Sequence, residues 1–196
     1  MTKVDVLING YAKKTKNGWK ASSTIILIED RGKRILIDPG ANKRLLLKEL
    51  KKRGLKLNNI DYIFLTHYHP DHAVLAGIFE KSLILDGDTV YKEDKETSFD
   101  KYLPNTNIEV IKTPGHAYEH ASLIVKIEKE VVVIAGDVFW WTDHEKQNTS
   151  NKKVLINRKD PFVKDFVALK KSRTKILKIA DKIIPGHGKE FDSQNN

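Results

Sequence analysis

Short apolar segments rich in β-branched residues constrain the fold of this chain more than any other feature of its sequence. Each segment is bounded by turn residues, and together they predict a set of short strands. The segments cover residues 24–28, 34–37, 62–65, 108–111, 122–127 and 131–135. Polar breaks at 30–32 and 128–130 each separate two apolar runs, which is typical of β-hairpins.

Two other segments have the apolar spacing of amphipathic helices. One covers residues 45–53 and stops at Gly54, because glycine commonly ends a helix. The other covers residues 162–180 and follows Asp160 and Pro161, which predict an N-cap with proline at the first helical position. Strands, hairpins and helices therefore mix along the chain, and the predicted class is α/β or α+β with layered sheets.

Length and composition favour one domain. The 196 residues are 40% hydrophobic, without an internal repeat or a break in composition. We predict a single domain over residues 1–192, a disordered tail over 193–196, and a long surface loop in the polar stretch 142–153. The sequence lacks a long apolar run and a secretory leader, so we expect a cytoplasmic protein that does not contact membranes.

Charge and cysteine content limit the chemistry. The chain has no cysteine, which excludes disulfide bonds, thiolate metal ligands and a thiol nucleophile. Its formal net charge is +9, from 35 Lys and Arg against 26 Asp and Glu. The lysines are spread along the chain, which favours a solvated surface over a nucleic-acid interface. Composition alone therefore leaves both a small molecule and RNA open as partners.

Residues 67–72 concentrate three histidines and one aspartate directly after a predicted strand. Alternate residues of an extended chain face the same way, so His67 and His69 can converge on one point. Pro70 favours a turn into a helix whose first turn carries Asp71 and His72. Ligands that leave one segment in two directions suit two metal ions better than one.

Further metal-competent side chains adjoin glycines near predicted strand ends. They are His116, Asp137 and His187. Glycine lets the backbone pass a crowded site, and strand ends often carry functional residues. Imidazole and carboxylate ligands suit zinc, and also iron or manganese. Asp38 also follows a predicted strand, where it can be a turn residue or a helix N-cap.

The order His-X-His-X-Asp-His, then an isolated His, an Asp and a final His, resembles the metallo-β-lactamase superfamily. The resemblance implies a four-layer αββα sandwich with a dinuclear metal site at one edge. It implies one ligand set for each ion, namely His67, His69 and His116 for the first and Asp71, His72 and His187 for the second. Asp137 would bridge the ions, with Asp71 and Asp137 as the catalytic carboxylates. Asp38 and His120 would contact the ligands rather than the metal.

The resemblance implies a metal-dependent hydrolase in which two divalent ions, zinc before iron or manganese, hold a bridging hydroxide. Asp137 stands where one group of true β-lactamases has a cysteine, which argues against β-lactamase activity. The last third of the chain, including residues 133–139 and 184–188, resembles a small single-domain group of the superfamily. We expect a small ester, thioester or lactone substrate. The alternatives are an RNA endonuclease and, with least support, a non-catalytic protein that binds metal or nucleic acid.

The aromatic residues after the predicted bridging carboxylate allow two interpretations. Phe139, Trp140 and Trp141 either line a substrate pocket or pack in the core. His144 lies in the polar stretch, where a solvated side chain is the favoured interpretation. The sequence leaves the oligomeric state open, a homodimer included.

Overall fold

The computed structural model describes residues 1–193, and the strands and helices named here are those of that part of the chain. The strands of the first half are β1 (Lys3–Ile8), β2 (Tyr11–Thr15), β3 (Gly18–Ser22), β4 (Ile25–Asp30), β5 (Lys33–Ile37), β6 (Tyr62–Phe64), β7 (Leu83–Leu85), β8 (Thr89–Lys92) and β9 (Lys95–Ser98). Those of the second half are β10 (Glu109–Lys112), β11 (Ala121–Ile127), β12 (Glu130–Trp140), β13 (Lys182–His187) and β14 (Phe191–Asp192). The helices are α1 (Lys43–Lys52), α2 (Pro70–Ala73), α3 (Lys152–Asn157) and α4 (Phe166–Ile179), with 3₁₀ turns at Leu57–Asn59 and Ala76–Ile78.

The strands form two large mixed sheets and one separate hairpin. The first sheet has the order β1-β4-β5-β6-β7-β8-β9, and the second has the order β10-β11-β12-β13-β14. Strands β2 and β3 pair only with each other. The two predicted hairpins are confirmed, because β4 pairs with β5 and β11 with β12 in antiparallel fashion. Strands β5, β6 and β7 are parallel, as are β12 and β13.

Alternate residues of the strands separate the layers, because successive side chains of a strand point to opposite faces. The sheets pack against each other through one set, which includes Ile28 and Val125. The other face of the first sheet packs on Leu46 of α1. The other face of the second sheet packs on Leu169 and Ile176 of α4. The layers are helix, sheet, sheet and helix, which confirms the predicted αββα sandwich.

The helices agree with the sequence-based prediction except for the first residue of the last helix. Helix α1 is followed by Gly54 with a φ of +69°, and α2 begins at Pro70, as predicted. The predicted start of the last helix at Asp160 and Pro161 is wrong. Helix α4 begins at Phe166, and the carboxylate of Asp165 accepts hydrogen bonds from the first-turn amides. Both aspartates fit a cap locally, but the Asp160 carboxylate is used elsewhere.

Ser193 and the polar loop are both hydrogen-bonded to the body of the protein, so the predicted disorder does not extend to Ser193. Ser193 is buried, and its hydroxyl donates to the carbonyl of Leu177 at 2.9 Å. The rest of the predicted tail, 194–196, lies outside the described residues. The loop that starts at 142 ends where α3 begins, and the Gln147 side chain exchanges hydrogen bonds with the backbone of Lys189. None of the helices in residues 1–193 has the length and apolar character needed to span a membrane.

Candidate metal centre

All seven predicted ligands meet at one end of the sandwich, in two groups. The first group is His67, His69, His116 and Asp137, and the second is Asp71, His72 and His187. Within each group, one candidate ligand atom per residue lies within 4.8 Å of the others. The structure therefore brings together every side chain that the motif selected.

The segment between β6 and the end of α2 supplies ligands to both groups. His67 and His69 lie in its extended part, and the proline at the first position of α2 turns the chain so that Asp71 and His72 follow in one helical turn. His116 comes from the connection between β10 and β11. The predicted divergence of ligands from one short segment is thus present in the structure.

Asp137 and His187 lie on neighbouring strands of the second sheet. His187 is the last residue of β13. Asp137 was expected after a strand ending at residue 135, but β12 continues to Trp140. The register of β12 against β13 shifts on both sides of Gly136, whose φ is +51°. Such an irregularity re-aims a side chain, and here Asp137 lies among the histidines.

The Asp137 carboxylate lies between the histidines of the first group and the second group. Its Oδ2 atom is 3.3 Å from Nε2 of His116 and 3.9 Å from Nε2 of His67. Its Oδ1 atom is 3.4 Å from Nε2 of His72 and 3.7 Å from Nε2 of His187. One carboxylate oxygen therefore faces each group.

The two remaining ligand candidates complete the groups on the open side. Nδ1 of His69 lies 3.0 Å from Nε2 of His116. Oδ2 of Asp71 lies 3.2 Å from Nε2 of His187. Both His69 and Asp71 are only partly buried, whereas the other five candidates are buried. The groups are thus closed by protein on one side and accessible on the other.

A network around Asp38 orients two of the imidazoles. Asp38 accepts hydrogen bonds from the backbone amide and the hydroxyl of Thr66, each at 2.8 Å. Nδ1–H of His72 donates to Asp38 Oδ2 at 2.8 Å. Because the Thr66 hydroxyl donates to Asp38, its oxygen is left to accept from Nδ1–H of His67 at 3.0 Å. Both imidazoles therefore direct Nε2 at the centre, and partners of this kind fix the orientation of metal-binding rings. Burial lowers the pKa of His72, but the carboxylates of Asp137 and Asp38 outweigh it and raise that pKa well above its usual value, so a metal would displace a proton from this ring.

Asp160 is the supporting residue that sequence reasoning missed. Its Oδ2 atom accepts a hydrogen bond from Nδ1–H of His116 at 2.7 Å, and its Oδ1 atom accepts one from the amide of Phe162 at 2.9 Å. Asp160 and His116 are 44 positions apart in the chain. The local Asp-Pro pattern indicated a helix cap, and no local signal links Asp160 to a distant imidazole.

His120 supports Asp137 from behind. The amide of Asp137 donates to Nε2 of His120 at 3.1 Å, so Nδ1 carries the ring proton and donates to Thr113 Oγ1 at 3.0 Å. Burial lowers the pKa of His120 to about 3, which keeps the ring neutral. Since both ring nitrogens are engaged in hydrogen bonds, His120 lies beside the ligand groups without facing them.

Burial and neighbouring charges determine the protonation states of Asp137 and His67. Burial alone raises the pKa of Asp137, but the charges of His72 and His187 outweigh it and hold that pKa well below its usual value. Burial lowers the pKa of His67 well below its usual value, and the neighbouring His72 lowers it further. Asp137 is thus ionised, and His67 is neutral. Those are the protonation states in which these side chains bind metal.

Unpartnered polar atoms test whether these residues fit a metal. Nε2 of His67, Nε2 of His72 and Oδ1 of Asp137 are buried without a hydrogen-bond partner, and within residues 1–193 only the side chain of Arg173 shares this property. Buried polar atoms are nearly always paired, so three such atoms at the centre need a partner. A divalent cation accepts electron pairs from all three, and the donor set therefore fits a metal.

A cavity of about 520 Å³ opens above the ligand groups. Its floor includes His69, Asp71, Asp137 and His187, while its walls include Trp19, Val74, Trp140 and Phe162. The Phe162 ring lies 5.8 Å from both the Trp19 and the Trp140 ring, measured between centroids. The cavity therefore combines a polar floor with apolar walls.

The predicted alternatives for the aromatic residues are resolved one by one. Trp140 lines the cavity, whereas Phe139 and Trp141 pack in the core between the second sheet and its helices. His144 is exposed in the loop, as expected. Trp19 and Phe162 were not predicted to line the site, because their distance from the motif in sequence hides their position.

Comparisons of sequence place the chain among known proteins. The family model of the metallo-beta-lactamase superfamily matches residues 18–101. Metallo-beta-lactamase domain-containing protein 1 of Xenopus laevis is 30% identical, over 96% of this chain and 80% of its own length. A Methanocaldococcus jannaschii protein named "Probable metallo-hydrolase" is 30% identical, over 90% of this chain and 92% of its own length.

The fold has a solved counterpart. A Thermotoga maritima protein, provisionally named a metallo-beta-lactamase, has a TM-score of 0.70 with 18% sequence identity, covering 97% of this chain and 99% of its own. The sequence relatives, with which the clustered histidines and aspartates agree, define the class as metal-dependent hydrolases. This chain belongs to the metallo-β-lactamase superfamily.

Proposed function

We propose that this protein binds two divalent metal ions and hydrolyses a small ester, thioester or lactone. The observation that carries the proposal is the placement of Asp137, with one carboxylate oxygen facing each ligand group. A single ion leaves one group unused, whereas two ions engage both. Paired ions about 3.5 to 4 Å apart are a common arrangement in hydrolases, and a shared carboxylate suits that spacing.

The ligand types support zinc. Five imidazoles and two carboxylates are available, without any thiolate. Zinc, iron and manganese all accept this combination, and imidazole-rich sites favour zinc among them. His67, His69 and His116 would hold one ion, Asp71, His72 and His187 the other, and Asp137 both.

Bound divalent ions would acidify water and polarise the scissile carbonyl group. The protein's own residues do the rest. Asp38 and Asp160 keep Nδ1 of His72 and His116 protonated, so both rings keep the orientation in which Nε2 faces the centre. The walls around Trp19 and Phe162 hold the apolar part of the substrate and exclude water from it. Asp71, which is partly buried and lines the cavity, would also contact the leaving group.

The shape of the cavity favours a small substrate. A volume of about 520 Å³ lies within the usual range of small-molecule sites, and its lining is mostly apolar, with charged side chains only among the ligand candidates. An acyl group would pack on the aromatic wall while the scissile bond reaches the ligand groups. This arrangement suits an ester, thioester or lactone better than a chain of charged phosphates.

An RNA endonuclease is the second candidate, and one observation favours it. The net charge is +9, and exposed lysines lie on the β2–β3 hairpin beside the cavity. Lysines attract phosphate groups without reading sequence, and the same centre can direct water at phosphorus. Salt separates the candidates, because several lysine–phosphate contacts weaken steeply as salt rises.

The test is turnover by the metal-loaded protein of thioesters, lactones and single-stranded RNA over a salt series. We expect turnover of at least one thioester or lactone with little salt dependence, abolished by Asp137→Ala because this substitution removes the shared carboxylate. His144→Ala is the matched control, since this exposed side chain lies outside the cavity, and it should leave turnover unchanged. RNA cleavage that falls about a thousandfold from low to physiological salt, without turnover of the panel, would establish the nuclease instead.

A further inference from the structure

The β2–β3 hairpin concentrates positive charge beside the cavity. It carries four exposed lysines, which are Lys13, Lys14, Lys16 and Lys20. Residues 9–24 contain neither Asp nor Glu. Throughout residues 1–193, no carboxylate lies within ion-pair distance of these four amino groups. Among the described residues these amino groups are therefore without an ion-pair partner, while the carboxylate of Asp143 accepts a hydrogen bond from the hairpin backbone, at the amide of Ala12, at 3.1 Å.

The strand register assigns Lys13, Lys14 and Lys20 to faces of the hairpin, while Lys16 lies in the turn. Ala12 is opposite Ala21, and Lys14 is opposite Trp19. Residues directly opposite in an antiparallel pair lie on the same face, and so do alternate residues of one strand. Ala12, Ala21 and Trp19 all line the cavity. Lys14 therefore lies on the cavity face, next to the half-exposed ring of Trp19.

The other face has its own pair of cations. Lys13 is directly opposite Lys20. This pair lies between the Ala12–Ala21 and Lys14–Trp19 pairs along the strands, so its side chains point to the face away from the cavity. Like charges directly opposite in a sheet repel each other. Lys13 and Lys14 are thus neighbours in sequence with the same charge and similar exposure, but they lie on opposite faces. This difference allows the function of the cavity face to be tested separately from the net charge.

An apolar stretch thereby separates the ligand groups from Lys14, which does not line the cavity itself but lies just beyond it on the same face of the hairpin. The ligand groups form the floor, the rings of Trp19 and Phe162 form the wall, and Lys14 lies on the same face of the hairpin as that wall. A complementary molecule has a polar group at one end, an apolar body, and a negative charge at the other end. An unpaired lysine near a low-dielectric wall attracts such a charge more strongly than one in open water.

We propose that Lys14 recognises an anionic group, a carboxylate or a phosphate, at the end of the substrate remote from the scissile bond. This inference rests on the proposed function, because it defines the substrate class of the same cavity. It narrows the expected substrates to esters, thioesters or lactones that carry a terminal negative charge. A polyanion such as RNA is a different occupant, since it would contact lysines on both faces of the hairpin.

The test measures binding to the metal-loaded protein, without requiring turnover. Linear dicarboxylates of increasing length are compared with monocarboxylates of the same length, and ω-phosphonocarboxylates distinguish a phosphate-like terminus from a carboxylate. Fluorescence reports binding, because Trp19 and Trp140 line the cavity. At the length that spans the cavity, we expect the second charge to tighten binding about two- to fivefold, the upper part of the range for one exposed charge pair. Equal binding of both series at every length would overturn the proposal.

Two variants with the same change in charge show which face of the hairpin produces the preference for the doubly charged ligand. Lys14→Glu should remove the preference for the doubly charged ligand, with the monocarboxylate as the internal reference. Lys13→Glu should keep the preference, and its new carboxylate would be opposite Lys20, which favours the hairpin. Equal loss in both variants would show that general charge, not the cavity face, attracts the ligand. Loss of RNA binding in both, without any dicarboxylate preference, would establish a polyanion site.

The outcomes separate this inference from the proposed function. Hydrolysis of neutral esters without a preference for a terminal charge would contradict the role of Lys14 and leave the hydrolase proposal standing. A dicarboxylate preference that Lys14→Glu removes, in a protein that turns over no ester, thioester or lactone, would contradict the hydrolase and leave the anion site standing.

Discussion

At the scale of single residues, the candidate centre depends on the second nitrogen of each imidazole. His67, His72, His116 and His187 each use Nδ1 for a hydrogen bond within the protein. Their partners are a hydroxyl, two carboxylates and a backbone carbonyl. Each ring therefore presents Nε2 to the centre in a fixed orientation, and the supporting residues are as testable as the ligands.

Asp160→Asn tests the support of His116. The substitution removes the negative charge of the group that accepts the hydrogen bond from Nδ1–H of His116. We therefore expect metal affinity to fall about ten- to a hundredfold. Competition with a chelator of known affinity measures the loss. Asp165→Asn is the matched control, because Asp165 caps α4 and Asn caps a helix about as well. Equal affinity in both variants would show that Asp160 does not support the site.

Gly186→Ala tests the packing of Asp137. A Cβ atom at position 186 would overlap Oδ1 of Asp137 and crowd the backbone of Gly136. We expect this variant to lose the metal that depends on Oδ1, which elemental analysis would detect. Gly77→Ala is the control, since a Cβ there meets no atom within 4 Å. Full metal content in Gly186→Ala would mean that Asp137 can move without consequence.

The residue motif made the ligands predictable, but not their surroundings. Spacing alone brought His67, His69, Asp71 and His72 together, because one short segment carries them all. The contact of Asp160 with His116 depends on how a loop before α4 folds back on the β10–β11 connection. No local pattern encodes such a contact.

At the scale of elements, hydrophobic patterning located the strands better than their ends. Strand β12 was predicted to end at 135, but it continues to Trp140 because the irregularity at Gly136 lets it keep pairing with β13. The start of α4 was misplaced because two aspartates, at 160 and 165, both suit an N-cap. Tertiary packing decided between them, since the carboxylate of Asp160 faces an imidazole.

The β2–β3 hairpin is the element that forms the outer wall of the cavity. Trp19→Ala removes the ring that contacts Phe162, so we expect a rise in KM of about three- to thirtyfold for substrates with an apolar acyl group. Metal content should not change, because Trp19 supplies no ligand. Tyr118→Ala is the control, as this exposed side chain lies outside the cavity. An unchanged KM in Trp19→Ala would remove the hairpin from the substrate site.

At the scale of the whole molecule, the candidate centre joins the two halves of the sandwich. His67, His69, Asp71 and His72 belong to the half built on the first sheet. His116, Asp137 and His187 belong to the half built on the second sheet. Ions bound at this place would connect both halves, and binding should therefore stabilise the folded chain as a whole.

Removal of metal tests this connection. Ligands at a hundred times their Kd stabilise the folded state by about 2.7 kcal/mol, which corresponds to a rise in Tm of about 5 to 10 °C for a chain of this size. We expect a chelator to lower the Tm by that amount and added zinc to restore it. The chelator should change the Tm of Asp137→Ala much less. The same Tm with and without metal would show that the clustered ligands do not bind ions.

The metal content of the purified protein tests the dinuclear centre most directly. Elemental analysis after reconstitution with zinc and removal of excess metal gives the number of ions per chain. The account predicts two ions per chain, because seven ligands form two groups with Asp137 between them. One ion per chain, or a content that stays near zero, would contradict it.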